Sequence, residues 1–378
     1  MRKIWILTLG MFALGMDTYI VAGLLPNIGQ AFRKSSAEAG QGVTVFTLCF
    51  AISAPLFSTV LAKVSVKKSL ILALILFSGA NILTVLSTNY ILYIISRCIA
   101  GLGAGLFSPI AISSAGFLVP SRHKGKALAF TVGGMSVGTV IGVPTGLQLA
   151  RFFKWRISIV VIILLGIIAL ISISFLLPNF KMPAPPSLSA RLKLFIHPHV
   201  LRVVSVTICA AIASLGLYTY LADVITTFLS PLYISLFLTS WGIGGLIGSF
   251  GIGAILDKFK NTNAVMVSIM GVLSLSIILI PLLIHIPLLN LLPFIIWGAM
   301  GWATQAPQQH ILLDNHPEHG AASVALNSSL NYLGSAIGSA LGGLVLAQTQ
   351  SINMLIYGAC IIALLGTLIQ LVNIKLSD

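Results

Sequence analysis

The chain has 378 residues, of which 57% are hydrophobic and 7% are charged. Soluble domains carry roughly 25% charged residues, so this composition excludes an ordinary water-soluble protein. The excess of 21 Lys and Arg over 7 Asp and Glu would suit a nucleic-acid binder, but no basic stripe or aromatic platform accompanies the charge, and nucleic acid is not an expected partner.

Twelve apolar segments, most of them long enough to cross hydrocarbon, follow one another along the chain. They cover residues 4–26, 42–61, 69–87, 91–119, 127–150, 157–177, 201–223, 232–256, 264–285, 288–313, 321–347 and 352–372. Backbone polar groups in a lipid bilayer must be satisfied within their own segment, so we predict helices and not strands. The predicted fold class is an all-α polytopic membrane protein.

A polar, proline-rich interruption at residues 178–200 separates six segments from six. It is predicted to be a linker between two domains, residues 1–177 and 201–378. Fifteen of the 21 Lys and Arg lie in the termini, the linker and the loops on the side of the N-terminus, five lie in the opposite loops, and Arg97 lies inside a span. Because basic loops stay in the cytoplasm, we predict a multi-pass plasma (inner) membrane protein with both termini cytoplasmic.

The four cysteines, Cys49, Cys98, Cys209 and Cys360, lie far apart in the sequence and inside apolar segments. They lack Cys-x-x-Cys spacing, so neither a disulfide framework nor a zinc site is indicated. We interpret them as small packing residues and expect no metal or cofactor.

Two loops at equivalent places in the halves carry similar basic motifs, which include Lys63, Lys67 and Lys68 after the second span and Gly253, Asp257 and Lys258 after the eighth. The second copy resembles the Gly-xxx-Asp-Arg/Lys signature of the major facilitator superfamily, where it helps to latch one conformation. The first copy departs from that signature, because Ala62 stands where the family has Asp and Ser65 where it has Gly. The resemblance therefore implies a weaker latch in the first half.

Glycines recur at every fourth position in the fourth, fifth and eleventh spans. Such a smooth face lets a partner helix approach closely, and a proline adds a kink or hinge. The predicted packing and hinge residues are Gly101, Gly105, Gly138, Gly142, Pro144, Gly334, Gly338 and Gly342. The fifth-span stretch 138–146 resembles the motif of the antiporter branch of the superfamily.

Three further stretches narrow the resemblance: Gly23-Leu24-Leu25-Pro26, Trp155-Arg156 and residues 325–334. With the motifs above they look like the drug:proton antiporter-1 family, in its branch of sugar-efflux, chloramphenicol-resistance and purine-efflux transporters. The resemblance covers nearly the whole chain. It implies the major facilitator fold, with 12 transmembrane helices in two six-helix bundles, and export of a small organic solute, such as a drug, sugar or nucleobase, against a flow of protons by alternating access. We expect a monomer.

Asp17 and Arg97 are the only ionisable residues well inside the N-terminal spans. A charge at the bilayer centre costs about 2.5–3.5 kcal/mol on insertion scales, so each should face a cavity or a partner. A carboxylate in a cavity can change protonation when a cation moves away. We predict Asp17 as the proton site and Arg97 as its modulator; the alternative is a static pair that fixes packing.

Substrate contacts are expected from polar and aromatic residues on cavity-facing helices. The candidates are Tyr19, Phe46, Phe50, Tyr218, Tyr220, Trp241, Gln305, Asn327 and Asn331. Asn327 and Asn331 are favoured because they lie four residues apart on one helical face, and buried amides need partners.

Other function classes are less compatible with the sequence. A membrane enzyme would need paired carboxylates, a metal set or a Ser/His arrangement at membrane depth, and none is visible in the spans. The chain is therefore not predicted to be an enzyme. An uncoupled uniporter or a lipid-type flippase of the same fold stays open as an alternative, in which Asp17 and Arg97 would be structural.

Overall fold

The computed structural model describes residues 2–61, 64–182, 197–259, 261–315 and 320–375. All regular elements in these ranges are helical, so the predicted all-α class is confirmed. The fold divides into two compact units, Met1–Pro185 and Pro186–Asp378. Lys63 and residues 183–196 of the predicted linker lie outside the described residues.

The helices of the first unit are α1 (Arg2–Phe32), α2 (Ser36–Val60), α3 (Val66–Leu86), α4 (Tyr90–Phe117), α5 (Lys124–Val137), α6 (Val143–Phe152) and α7 (Arg156–Leu176). A π-helical segment, Gly138–Gly142, joins α5 to α6. Pro144, the second residue after this segment, has no N–H for the carbonyl four residues earlier, so it interrupts the helical bonding at this place. The predicted hinge thus coincides with a local widening of the helix.

Polar contacts define the turns between these helices. Ser35 and Glu38 form a capping box at the start of α2, with the Ser35 amide donating to Glu38 Oε2 at 2.9 Å and the Glu38 amide donating to Ser35 Oγ at 3.2 Å. Arg156 Nε and Nη2 each donate at 2.9 Å, to the carbonyls of Val85 and Ser87. A cation at these carbonyls stabilises the C-terminal end of α3, which gives the Trp155-Arg156 pair a structural role.

The second unit contains α8 (Pro198–Ala211), α9 (Leu217–Thr219), α10 (Leu221–Phe228), α11 (Ile234–Lys258), α12 (Thr262–Ile278), α13 (Ile280–Leu283), α14 (Leu292–Ala303), α15 (Gln305–Asn315), α16 (Gly320–Thr349) and α17 (Ile352–Lys375). A π-helical segment, Ile212–Gly216, joins α8 to α9.

Ten of the predicted spans appear as helical runs long and apolar enough to cross a membrane. The other two, at residues 264–285 and 288–313, are interrupted. Pro281 follows the end of α12 closely, and Pro307 follows the break between α14 and α15. Each proline removes one helical hydrogen bond, which weakens the helix at these two places.

Glycines on α4 bring it into backbone contact with α2. A Cβ built at Gly101 would lie 3.0 Å from Phe46 Cα, and one at Gly105 would lie 2.8 Å from Ser53 Cβ. Real Cβ atoms do not approach so closely, so a side chain here would force the two helices apart.

Glycines also bring the fifth span into close contact with α1. A Cβ at Gly138 would lie 3.1 Å from Met16 N, and one at Gly142 would lie 3.1 Å from Met16 Cβ. In the second unit, α16 meets the segment from α8 to α9 in the same way. A Cβ at Gly338 would lie 2.8 Å from Gly216 Cα. Cβ atoms built at Gly334 and Gly342 would lie 2.7 Å from Ala211 Cβ and 3.0 Å from Tyr220 Cδ2.

Candidate functional site: a buried ion pair and a layer of amides

A charged pair is buried in the interior of the first unit. Asp17 lies on α1 and Arg97 on α4, and their side chains are 0% and 1% exposed. Arg97 Nη1 donates to Asp17 Oδ1 at 2.9 Å and to Asp17 Oδ2 at 3.2 Å. The structure thus brings together the two residues that the scarcity of charge singled out.

The ring of Phe46 covers one face of the guanidinium. Arg97 Cζ lies 4.5 Å from the ring centroid, within the range of a cation–π interaction. The contact depends on Gly101, one turn after Arg97, because its lack of a side chain lets the backbone of α2 approach α4. Phe46, a predicted cavity residue, is fully buried beside the pair.

Two polar atoms beside the pair, Arg97 Nε and Tyr93 Oη, have no hydrogen-bond partner among the described residues. Tyr93 lies one turn before Arg97 on α4 and is fully buried. Its ring stacks on Phe32 with the centroids 5.5 Å apart. The pair therefore has unused hydrogen-bonding capacity on the side of α4.

This arrangement has a simple chemical consequence. A carboxylate that accepts from a guanidinium forms a charge-assisted bond, which is about twice as strong as a neutral one. Protonation of Asp17 would remove the negative charge of the pair and leave Arg97 buried without a counter-charge, which is unfavourable in an apolar interior. One proton on Asp17 can therefore change which contacts Arg97 prefers.

Neutral amides occupy the interior of the second unit. Thr207 Oγ1 on α8 donates to Asn327 Oδ1 on α16 at 2.6 Å, and both residues are fully buried. Gln305 Nε2 on α15 donates to Asn331 Oδ1 on α16 at 2.9 Å. The two asparagines, four residues apart, therefore bind different partner helices.

Aromatic side chains form a second cluster in this unit, centred on Trp241. Its ring lies 4.2 Å from that of Tyr218, 6.1 Å from Trp297 and 5.6 Å from Trp302, centroid to centroid. Trp297 Nε1 donates to Ser214 Oγ at 2.9 Å. This cluster links α11 and α14 to the π-helical segment.

The other predicted substrate residues have different surroundings. Tyr220 is fully buried, and its hydroxyl donates to the Ser339 carbonyl at 2.8 Å, so this group stabilises the contact between α16 and the seventh span. Tyr19 on α1 is half-buried. Phe50 is buried, and its backbone lies against Gly105 of α4.

The predicted latch residues lie at helix ends. Lys67 is half-buried and Lys68 is exposed at the start of α3, whereas Gly253, Asp257 and Lys258 are exposed at the end of α11. Beside Lys67, the Val66 amide donates to the Phe180 carbonyl at 3.0 Å, which ties the start of α3 to the segment that follows α7. Within each described unit, these latch side chains form no ion pair.

Two features of the interior were not predicted. The sequence did not indicate that Cys49 and Cys98 meet: both are free thiols, and their sulfur atoms lie 3.1 Å apart across the α2–α4 contact. Gln308 on α15 is 0% exposed and was not among the candidates. The available signals were the glycine spacing after Cys98 and the proline directly before Gln308.

The Major Facilitator Superfamily profile matches residues 7–339. The protein called uncharacterized MFS-type transporter YbcL, from Bacillus subtilis (strain 168), is 30% identical over 372 residues, which cover 98% of this chain and 94% of that protein. The inner membrane transport protein YdhP of Escherichia coli (strain K12) is 26% identical over 371 residues, 98% of this chain and 95% of that protein. The crystal structure of a D-xylose-proton symporter shares the fold, with a TM-score of 0.81 at 16% identity over 98% of this chain and 96% of that one.

Proposed function

We propose that this chain, which belongs to the Major Facilitator Superfamily, is a proton-coupled antiporter that exports a small organic solute by alternating access. The family and its fold are those of membrane transporters and not of enzymes. Proton coupling and outward transport are the proposed part. The resemblance to the drug:proton antiporter-1 family, with its roles in efflux and drug resistance, supports them.

The observation that carries the proposal is the buried pair of Asp17 and Arg97. In the proposed cycle, Asp17 is ionised and paired while the unit holds one arrangement. A proton entering from the outer side neutralises Asp17 and frees Arg97 for other contacts, such as the unpartnered Tyr93 hydroxyl. Release of the proton on the cytoplasmic side restores the pair, so that one proton enters per complete cycle, on the change of state opposite to the one that carries the solute outward.

Membrane placement and conformational control follow the same proposal. The asymmetry of Lys and Arg between opposite loops and the name of the Escherichia coli relative support an inner membrane protein with cytoplasmic termini. The exposed Asp257 and Lys258, with Lys67 and Lys68, are proposed to latch one conformation. The fifth-span glycines and Pro144 are proposed to act as the hinge.

The proposal can be tested on purified protein reconstituted into liposomes that contain a pH-sensitive dye. Drugs, sugars and nucleobase analogues are added one at a time, and the internal pH is recorded. We expect a substrate of the wild-type protein to cause proton movement in the direction opposite to its own. Asp17→Asn should abolish that proton movement, because the amide cannot take up and release the proton.

The matched control is Asp314→Asn, which changes an exposed carboxylate in the same conservative way; it should leave proton movement intact. Undiminished proton movement in Asp17→Asn would overturn the assignment of Asp17. The uncoupled uniporter would be favoured if the solute equilibrates across the membrane but does not accumulate when a proton gradient is present, and still moves after a protonophore has collapsed the gradient.

A further inference from the structure

Gln308 is an anomaly in the interior of the second unit. Its side chain is 0% exposed, yet neither Nε2 nor Oε1 has a hydrogen-bond partner among the described residues. A buried polar atom without a partner has lost its hydrogen bonds to water and makes none in the protein, so its burial is energetically unfavourable. Gln370 of the same unit, also 0% exposed, shows the ordinary solution, since its Nε2 donates to Asn263 Oδ1 at 2.9 Å and its Oε1 accepts from Asn373 at 3.4 Å.

The helix that carries Gln308 is broken next to it. The break at Thr304 separates α14 from α15, and Pro307 deprives the Ala303 carbonyl of its helical donor. Irregular backbone at membrane depth is tolerated where it is buried in protein or lines a cavity, and discontinuous helices commonly form the binding sites of transporters. Thr304 is 1% exposed, which places the break inside the protein.

Gln308 lies in the same layer as Asn327. We infer that the helices α15 and α16 run antiparallel, because only four residues separate them along the chain, Gln305 bonds to Asn331, and both helices contribute to one apolar cluster that contains Ile311 and Ala322. Gln308 is three residues after Gln305, and Asn327 is four residues before Asn331. Both therefore lie one turn from that hydrogen bond, on the same side of it.

Asn327 adds a third unsatisfied atom to this layer. Its Oδ1 accepts from Thr207, but its Nδ2 has no partner among the described residues. Together the two residues offer two donor groups and one acceptor, all neutral. The titratable groups of α15 are elsewhere, since His310 and Asp314 are exposed and pair with each other at 2.9 Å.

We propose that Gln308 and Asn327 form a substrate-orienting site for a neutral group that both donates and accepts hydrogen bonds, namely a carboxamide or a lactam. This inference rests on the proposed function as a solute transporter and specifies the class of solute. A side-chain amide pairs with another amide edge through two parallel hydrogen bonds, which satisfies both free atoms of Gln308 at once. An anion or a cation would find no charged partner among these two residues.

Stability provides the first test, because it separates a binding site from a structural one. Gln308→Leu replaces the carboxamide, with its two unsatisfied atoms, by an apolar side chain of comparable size, so we expect the Tm of the purified protein to rise by about 2–4 °C. The matched control is Gln370→Leu, which breaks two hydrogen bonds and should lower Tm. If Gln308→Leu lowered the Tm as much as Gln370→Leu does, the proposal would be overturned, because the polar atoms of Gln308 would then have hydrogen-bond partners within the fold.

Ligand binding provides the second test, in detergent and without a proton gradient. Nicotinamide, a carboxamide, and 2-piperidone, a lactam, are added at millimolar concentration, with the anion nicotinate as the matched control. We expect a rise in Tm of the wild-type protein with at least one of the amides, none with nicotinate, and none in Gln308→Leu. Equal stabilisation by nicotinate, stabilisation that survives in Gln308→Leu, or no stabilisation by either amide would contradict the site.

Asp17→Asn keeps the two proposals distinguishable. This variant should retain the shift in Tm with the amide and lose only solute-driven proton movement. An amide that binds the wild-type protein through Gln308 but moves no protons would leave the site standing and remove the proposed coupling.

Discussion

The two units bury different kinds of polar group. The first unit buries an ion pair, Asp17 with Arg97, at 2.9 Å. Among the described residues of the second unit, every fully buried polar side chain is uncharged, as in Thr207 and Asn327. The units thus share a helical fold and differ in the electrostatics of their interiors.

This difference separates two tasks that a coupled transporter must perform. A proton can change the charge of a carboxylate, and through it the contacts of a buried guanidinium. Amides do not change charge at physiological pH, but they hold both donors and acceptors at fixed positions. In the proposed mechanism the first unit therefore responds to protons, whereas the second orients the solute.

The largest effect is expected from breaking the ion pair on one side only. Arg97→Ala leaves Asp17 buried without a counter-charge, and loss of one partner of a buried pair costs about 3–5 kcal/mol. Thermal unfolding of the purified protein measures the change. The double variant Asp17→Leu with Arg97→Leu should recover much of this stability while proton movement stays lost. A double variant as unstable as Arg97→Ala would show that the pair contributes packing that leucines cannot replace.

A smaller effect is expected from adding a methyl group at the close glycine contacts between helices, which occur within each of the two units. Gly101→Ala and Gly338→Ala each place a Cβ against a neighbouring backbone, and such overpacking costs about 1–3 kcal/mol. Gly79→Ala is the matched control, because no heavy atom lies within 4 Å of a Cβ at that position. Only Gly101→Ala should also impair proton movement, since it displaces Phe46 from Arg97. Equal impairment in Gly338→Ala would remove the distinction between the units.

A comparable or slightly smaller loss is expected for the neutral pair of the second unit. Thr207→Val keeps the shape of the side chain and leaves Asn327 Oδ1 without its donor, which costs about 1–3 kcal/mol. Because neither residue changes charge, the variant should lose stability without losing proton coupling. Unfolding curves give the stability, and the liposome assay should show proton movement per solute unchanged. A change in that ratio would place Thr207 in the coupling.

The sequence predicts the class of the fold because each span is a long apolar run, and it predicts the pairing of Asp17 with Arg97 because no other charges compete for them inside the first half. It could not predict Gln308 or the contact of Cys49 with Cys98. These spans are apolar on nearly all faces, so periodicity says little about which face a residue presents to its neighbours. The breaks at Pro281 and Pro307 were visible as prolines, but whether a proline kinks a helix or divides it depends on tertiary contacts.

The smallest effect is expected from an ion pair of the first unit that differs from the buried one mainly in exposure. Lys34 Nζ and Glu38 Oε1 are 2.8 Å apart, close to the 2.9 Å of the buried pair, but their side chains are 35% and 46% exposed. Water screens such pairs, and their contribution is typically about 0.2–1 kcal/mol. Lys34→Ala should therefore lower the free energy of unfolding by less than a third of the loss in Arg97→Ala. Added salt should reduce the loss in Lys34→Ala further, because it screens the exposed charges. Unfolding of both variants at low and high salt tests this. If the loss in Arg97→Ala depended on salt as strongly as the loss in Lys34→Ala, water would reach Asp17. The first unit would then not contain a buried ion pair, which is the property that distinguishes it from the second.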